Sequence, residues 1–506
     1  MKDLKEYSVC ENEGFLKKAQ DFKRELMCTE IAAKGLVKPD GGCEPLGGSV
    51  ILDKGESILV DFGDHFTGYL SFNIDFTGYP PDAPAYIRVK LCERACETAQ
   101  DSRDYNAWLC SSWIQEEYIH VDRLPSKIEL PRRYAFRYAE IKVLDLTYQY
   151  KVRVKDFKCK AVSAADISAV TELCTDDARL GQLDRIAVKT LAECMQDVFE
   201  DGPKRDRRLW IGDLRLQALV NYVTFKNYDL VKRCLYLFAG STLSGGMVGS
   251  CMYTEPKPVV GAVDLFDYSL IFISCLYDYY EHTGDTELVS ELYGTALRQA
   301  EIAAKRLDER GIVRDGDDWW CFLDWNSDLN KQAGAQGVFI YALRQLAVIA
   351  RVIGEPTEDT GRLIERLCNA AKEHLWDEKL GLFVSGDGRQ VSCQSQIWLV
   401  LAEVFDKAEN RKILARILKD RTKITPVTPY CYHYFVEALM KNDMKAEARQ
   451  LICDYWGAMA DDGADCFYEA FDPENKDFSP YDSDMVNSYC HAWSCTPAYF
   501  IRKYFQ

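Results

Sequence analysis

Hydrophobic residues recur along this chain with two different periods, and the switch between them falls between about residues 160 and 178. In GYLSFNIDF, Leu70, Phe72, Ile74 and Phe76 alternate with Ser71, Asn73 and Asp75, the period-two pattern of a strand with one buried and one wet face. AYIRVKL (Ile87, Val89, Leu91) and FRYAEIKVL repeat it, and turn clusters such as GYPPDAP separate the runs. The N-terminal part therefore reads as an antiparallel β-sandwich. Beyond residue 178 the period becomes helical. After Pro356, for example, Glu358 and Asp359 come early and Leu363, Leu367, Ala371 and Leu375 follow on one face. The same reading gives twelve helices, at 178–197, 213–226, 229–239, 263–282, 286–308, 331–353, 357–375, 393–405, 409–418, 431–440, 443–460 and 487–504.

The links between these helices alternate in length. Those before the third, fifth, seventh, ninth and eleventh are two or three residues, such as TGD at 283–285 and GEP at 354–356, and the other six are about a dozen or longer. Short links make neighbouring helices antiparallel, so short links gather at one end of the array and long ones at the other. Six hairpins predict an (α/α)6 barrel at 171–506 behind a β-sandwich domain at 1–170, and long loops are where function usually sits.

Composition narrows the function. A chain of 506 residues exceeds one compact core, and 47% hydrophobic with 28% charged residues is ordinary globular material. A formal charge of −17 repels polyanions, so nucleic acid is not an expected partner. The N-terminal MKDLKEYSVCENEGFLKK has no secretory apolar core, and no run of ~18 apolar residues follows, so no membrane partner is expected. The twenty cysteines are scattered without a CxxC pair, and Cys275, Cys368 and Cys453 sit in apolar helical patterns as packed thiols. That usage fits a reducing cytoplasm. Cys92 and Cys96 alone do not make a zinc site, and the six histidines (65, 120, 282, 374, 433, 491) show no ligand spacing, so no metal is expected. A homo-oligomer stays open.

The long loops carry the candidate chemistry. The first, EDGPKRDRRLWIGD, holds Asp201, Arg205, Asp206, Arg207, Arg208, Trp210 and Asp213. The third, DGDDWWCFLDWNSD, holds Trp319, Trp320, Asp324 and Trp325, and the sixth sets Glu469 between Tyr468 and Phe471, with His491 following in the last helix. Alone, each has a plain structural explanation, as a salt-bridged loop, a core tryptophan or a satisfied histidine. Together at one mouth, flat aromatics and carboxylates are what sugar rings and hydroxyls need. Glycoside cleavage takes two carboxyl groups, one to protonate the leaving oxygen and one to activate water or attack carbon.

DGPKRDRRLWIGD (201–213), WWCFLDW (319–325), GADCFYEAF (463–471) and SYCHAW (488–493) resemble the α-L-rhamnosidases of glycoside hydrolase family 78, across essentially the whole helical domain. ILVDFGDHFTGYLSF and YAFRYAEIKVLDL are similar to the β-domain that precedes the barrel in that family. The resemblance implies inverting hydrolysis of terminal α-L-rhamnosides without a cofactor. It aligns Asp206 with the general acid and Glu469 with the general base, Asp201 and Asp213 with residues holding sugar hydroxyls, and Trp210 and His491 with groups against the bound sugar. Arg205, Trp320, Asp324 and Trp325 fall in loops that resemble those lining the same pocket in that family, which implies that they contact substrate.

Three features depart from the family pattern. The acid position holds Asp206 where Glu is usual, RRLW stands for the commoner RLGW, and no second β-domain follows the helices, which favours short glycosides over long polymers. One methylene of lost reach leaves Asp201 and Asp213 open as alternative donors. A phosphorylase or an enzyme for another deoxy or uronic sugar, and a non-catalytic sugar-binding protein, are the competing readings.

Overall fold

The computed structural model describes residues 8–38, 41–261, 263–316, 318–420, 424–476 and 478–506. Its N-terminal part is a ten-stranded antiparallel arrangement built on one 22-residue strand, Ser57–Gly78. The first half of that strand pairs with Tyr134–Asp145, which passes the ladder on to Ala85–Cys92 and Glu116–Val121. Its second half pairs with Tyr150–Ser163 and Ser126–Glu129. The crossing is at Gly68, where a Cβ would meet the Lys160 carbonyl oxygen at 2.3 Å. Both halves drive their alternate residues into one core of Val60, Phe62, Leu70, Phe72, Ile74, Ile87, Val89, Phe136, Ile141 and Val152. The alternation read from GYLSFNIDF is therefore the one observed, whereas on Ala85–Cys92 both faces are buried: Arg88 is covered with Glu116 and Glu140, and Lys90 donates to the Glu97 carbonyl at 2.6 Å.

Thirteen helices are present among the described residues. Helix α1 (Glu13–Asp21) lies in the N-terminal part, capped by Asn12. The helical part comprises α2 (Ala178–Cys194), α3 (Ile211–Val223), α4 (Tyr228–Gly240), α5 (Phe266–Thr283), α6 (Thr286–Ala304) and α7 (Gln332–Ile353). It continues with α8 (Glu358–Ala370), α9 (Cys393–Leu401), α10 (Lys407–Lys419), α11 (Pro429–Lys441), α12 (Lys445–Asp461) and α13 (Pro497–Tyr504).

The odd-numbered helices from α3 form an inner ring: α3 packs on α5, α5 on α7, α7 on α9, α9 on α11, and α13 closes back on α3. Inner helices have to be apolar nearly all round, as α3 is, while the outer α8 buries only Leu367, Cys368 and Ala370. By length and composition α7 could cross a membrane, but here it is an inner helix of the barrel. The short links turn on Gly284 and Gly354, both at positive φ, and on caps such as Asn227, Asp285 and Asp406.

Two segments differ from the sequence reading. Residues 9–21 leave the sheet: Val9–Glu11 pairs with Ser241–Leu243, and α1 packs on α4 through Phe15, Leu16 and Ala19. The last helix starts at Pro497, not near 487. Proline lacks an N–H and suits a first helical turn, so the residues before it, His491 included, are irregular chain with one short turn at Ala492–Ser494.

Candidate active site

The six long connections meet at one end. Leu209–Trp210 of the first pairs with Cys251–Met252 of the second, and the Asp267 carboxylate at the start of α5 accepts the Phe322 and Leu323 N–H groups of the third. Asp324 then binds Gln394 at the start of α9, after the fourth connection, and Val427 and Thr428 of the fifth; the sixth closes the circle with Ala492 N–H on the Asp201 carbonyl at 2.8 Å. The β-domain braces this mouth from the side: Arg133 grips Glu200 with contacts of 2.7 and 2.8 Å, Arg137 grips Asp465, and buried Lys204 pairs with Glu97.

The first loop is folded around Asp201. Its carboxylate accepts the N–H of Asp206 at 3.2 Å and of Arg208 at 3.1 Å, and its own N–H donates to the Arg208 carbonyl. Gly202 is required there, because a Cβ would meet the Arg205 carbonyl at 2.6 Å. Burial, the adjacent Asp206 and then Asp213 push the Asp201 carboxyl up to about 8, against the opposing charge of His491.

Asp206 and Glu469 face the same guanidinium. Arg205 binds Glu469 directly, stands 3.6 Å from Asp206 and donates to the Val486 carbonyl at 3.0 Å. Arg208 reaches Asp206 from the other side at 3.6 Å and lies over the Tyr253 ring. Glu469 also accepts the Tyr481 hydroxyl at 2.7 Å, and Tyr481 lies flat under Arg205 with its ring centre 4.0 Å from the guanidinium carbon. Asp213, in the first turn of α3, meets His491 Nε2 at 3.1 Å, and His491 Nδ1 stands 4.0 Å from Glu469. Burial works against a charge on His491, but Glu469, Asp213 and Asp201 outweigh it and raise its pKa; burial raises that of Asp213.

Aromatic rings line the same space. Trp325 meets Tyr481 edge-on at 5.5 Å and Trp493 at 5.9 Å, and Phe322 stacks on Trp493. Trp210 joins through Tyr268, and its buried indole N–H has no partner among the described residues. Asp201, Arg205, Asp206, Trp210, Asp213, Trp325, Glu469 and His491 therefore assemble as one site.

Two of the expected residues do not. Trp320 is 66% exposed and lies in a separate shallow groove with Asp315, Trp319 and Asn330. Leu323 at φ 53°, held by Asp267, reverses the chain between the two tryptophans, so Trp320 and Trp325 diverge. Asp324 is buried with both oxygens occupied: it accepts from Trp325 N–H, Thr428 N–H and Thr428 Oγ1 on one side, and from Val427 N–H and Gln394 on the other. It fastens three loops together and has no lone pair turned to a ligand.

Sequence reading missed Tyr481, which sits in a Ser/Asp/Pro-rich loop with no periodicity, and Trp493, which was visible in SYCHAW but carried no assigned role. At the short-link end, a cavity of about 640 Å³ is lined by Arg215, Asp278, Tyr341 and Glu437, whose charges close on one another.

A closed double ring of helices whose long loops bring paired carboxylates and flat aromatics to one mouth defines a six-hairpin glycoside hydrolase. Residues 168–505 match the bacterial alpha-L-rhamnosidase six-hairpin glycosidase domain, and residues 47–161 match the glycosyl hydrolase family 78 alpha-rhamnosidase N-terminal domain. The chain belongs to glycoside hydrolase family 78, the α-L-rhamnosidases.

Among solved structures it is similar to a rhamnosidase from Klebsiella oxytoca with rhamnose bound, with 44% identity, TM-score 0.95, and coverage of 98% of this chain and 100% of that one. The fold also matches the family 78 rhamnosidase of Bacillus sp. GL1 at 21% identity and TM-score 0.76, over 91% of this chain and 48% of that one. An alpha-L-rhamnosidase of Streptomyces avermitilis complexed with L-rhamnose matches at 14% identity and TM-score 0.68, over 95% and 44%. No curated protein sequence matches the chain.

Proposed function

We propose that this enzyme hydrolyses terminal α-L-rhamnosides with inversion, Asp206 donating a proton to the leaving oxygen and Glu469 deprotonating the attacking water. The observation that carries this reading is the shared guanidinium: carboxylates 263 positions apart in sequence both face Arg205 in one mouth. Of Asp201, Asp206 and Asp213, Asp206 is the one with substantial side-chain exposure, 21%, while Asp201 and Asp213 are buried. Asp201, pushed up to about 8 by burial and the adjacent Asp206, holds a proton near neutrality beside Asp206. Glu469 is oriented by Tyr481 and Arg205 and acts on water from the opposite face of the sugar.

The Asp213–His491 pair is suited to sugar hydroxyls, and Trp325 and Trp493 to a ring's apolar face. The rhamnose bound to the Klebsiella oxytoca protein supports that sugar as the one recognised here. A phosphorylase would need free cationic groups beside the acid, but Arg205 and Arg208 are turned on carboxylates and Arg207 onto the Lys204 carbonyl and Gln115. The twenty cysteines are all unpaired, which supports placing the reaction in a reducing compartment such as the cytoplasm. The test is a panel of aryl glycosides with the product anomer followed by NMR. Hydrolysis of the α-L-rhamnoside with first formation of β-L-rhamnose is expected; preference for another sugar, or first release of the α-anomer, overturns the reading.

A further inference from the structure

In the seam between the β-domain and the barrel, His65, Cys466 and Cys490 converge with their ligand atoms all within 4.8 Å of one another. His65 comes from the long strand Ser57–Gly78, and both cysteines come from the sixth long connection; all three side chains are buried. The two imidazole nitrogens differ. Nε2 is 3.0 Å from the buried Glu93 carboxylate, whereas Nδ1 is buried without a hydrogen bond among the described residues, its ion-pair contact being Glu193 at 3.7 Å. Cys194 Sγ lies 3.9 Å from Cys490 Sγ.

We propose that His65 Nδ1, Cys466 Sγ and Cys490 Sγ bind a divalent cation of zinc-like softness. Bond lengths of ~2.3 Å to sulfur and ~2.0–2.1 Å to nitrogen set tetrahedral donors roughly 3.4–3.8 Å apart. The observed spacing reaches that by small side-chain rotations. The donors are soft, and a set of thiolates with imidazole selects zinc over magnesium or calcium. Glu93 on Nε2 is the outer carboxylate that metal-bound histidines usually have, and it leaves Nδ1 as the nitrogen facing the metal.

Charge balance fits burial. The thiols of Cys466 and Cys490 each release one proton on binding, and a dication with two thiolates is neutral. Cys466 stands three positions before Glu469, and Cys490 immediately precedes His491. A metal here ties a β-domain strand to the segment that carries both site residues.

The experiment measures metal content of the full-length protein as purified, then strips it with a chelator and titrates it with Co(II) followed by Zn(II). Expected are one zinc per chain, a thiolate-to-cobalt charge-transfer band in the near ultraviolet that zinc abolishes, and a thermal midpoint raised by zinc. The Cys466→Ser/Cys490→Ser variant loses the band, and Cys110→Ser, at an exposed thiol, keeps it. Wild-type protein that arrives metal-free, gives no saturable band and shows no shift in midpoint overturns the proposal, whether or not the double variant folds. A band that survives in a folded double variant does the same.

Discussion

Replacing Asp324 by Asn keeps the side-chain volume and changes only what its two polar ends can accept. At present one oxygen receives Val427 N–H at 2.9 Å and Gln394 Nε2 at 2.8 Å, while the other receives Trp325 N–H, Thr428 N–H and Thr428 Oγ1. In Asp324→Asn one of these ends becomes an NH₂ pointing at donors. Gln394 still has the Thr425 carbonyl at 3.0 Å, but Val427 N–H loses its acceptor, and the new amide is itself unpaired in a buried place. Each unsatisfied buried donor costs ~1–3 kcal/mol, so the substitution is expected to destabilise by about 3–5 kcal/mol. For a chain of this size that corresponds to a drop in Tm of roughly 3–5 °C. Differential scanning calorimetry gives the stability, and kcat and KM on an aryl α-L-rhamnoside well below the transition give the catalytic effect. If Asp324 fastens loops, Tm falls while KM at low temperature changes less than about threefold. A variant as stable as wild type with KM raised tenfold or more would mean that this carboxylate holds sugar, contrary to the account.

Asp201 titrates with a sign that can be measured. Its carboxyl is pushed up to about 8 from an ordinary carboxylate value, so the folded state keeps a proton that the unfolded chain has lost. Stability should therefore fall as pH rises from about 4 to 8, and Asp201→Asn, a neutral mimic, should flatten this part of the profile of Tm against pH. Tyr481→Phe removes the hydroxyl on Glu469, a bond to a charged group worth ~1.5–3 kcal/mol, and should lower kcat/KM by roughly 10- to 100-fold with little change in Tm. Trp325→Ala should raise KM by about tenfold or more through lost ring contact, whereas Trp320→Ala, on an exposed indole outside the cluster, should leave both kinetic constants within about twofold of wild type. Steady-state kinetics on one aryl α-L-rhamnoside checks both.

The parts of the fold legible in the sequence are those fixed by local physics. The period change near 170 follows from pleat and helix geometry, and the alternating link lengths survive because Gly284, Asp285 and Gly354 make tight reversals in a few residues. From those two features the order of helices and the end at which the loops meet could be read. What could not be read depends on partners distant in the chain. Asp324 looks like any pocket carboxylate until Gln394, Val427 and Thr428 are seen to saturate it. Trp320 and Trp325 are told apart only by the backbone reversal at Leu323. Tyr481 gains its role from Glu469 twelve positions away across an aperiodic loop, and His65 meets Cys466 only because a β-domain strand abuts the barrel. The start of the last helix was legible in principle, since Pro497 marks it, but the run of apolar residues around His491 concealed the break.

The central claim is that Glu469 activates water against a sugar protonated from the Asp206 side. It is tested most directly by kcat of Glu469→Gln on an α-L-rhamnoside whose activated aryl leaving group needs little acid assistance. Loss of a positioned base should lower kcat by ~10²–10⁴-fold while the folded variant still binds rhamnose. A Glu469→Gln enzyme that turns over at the wild-type rate would contradict the account.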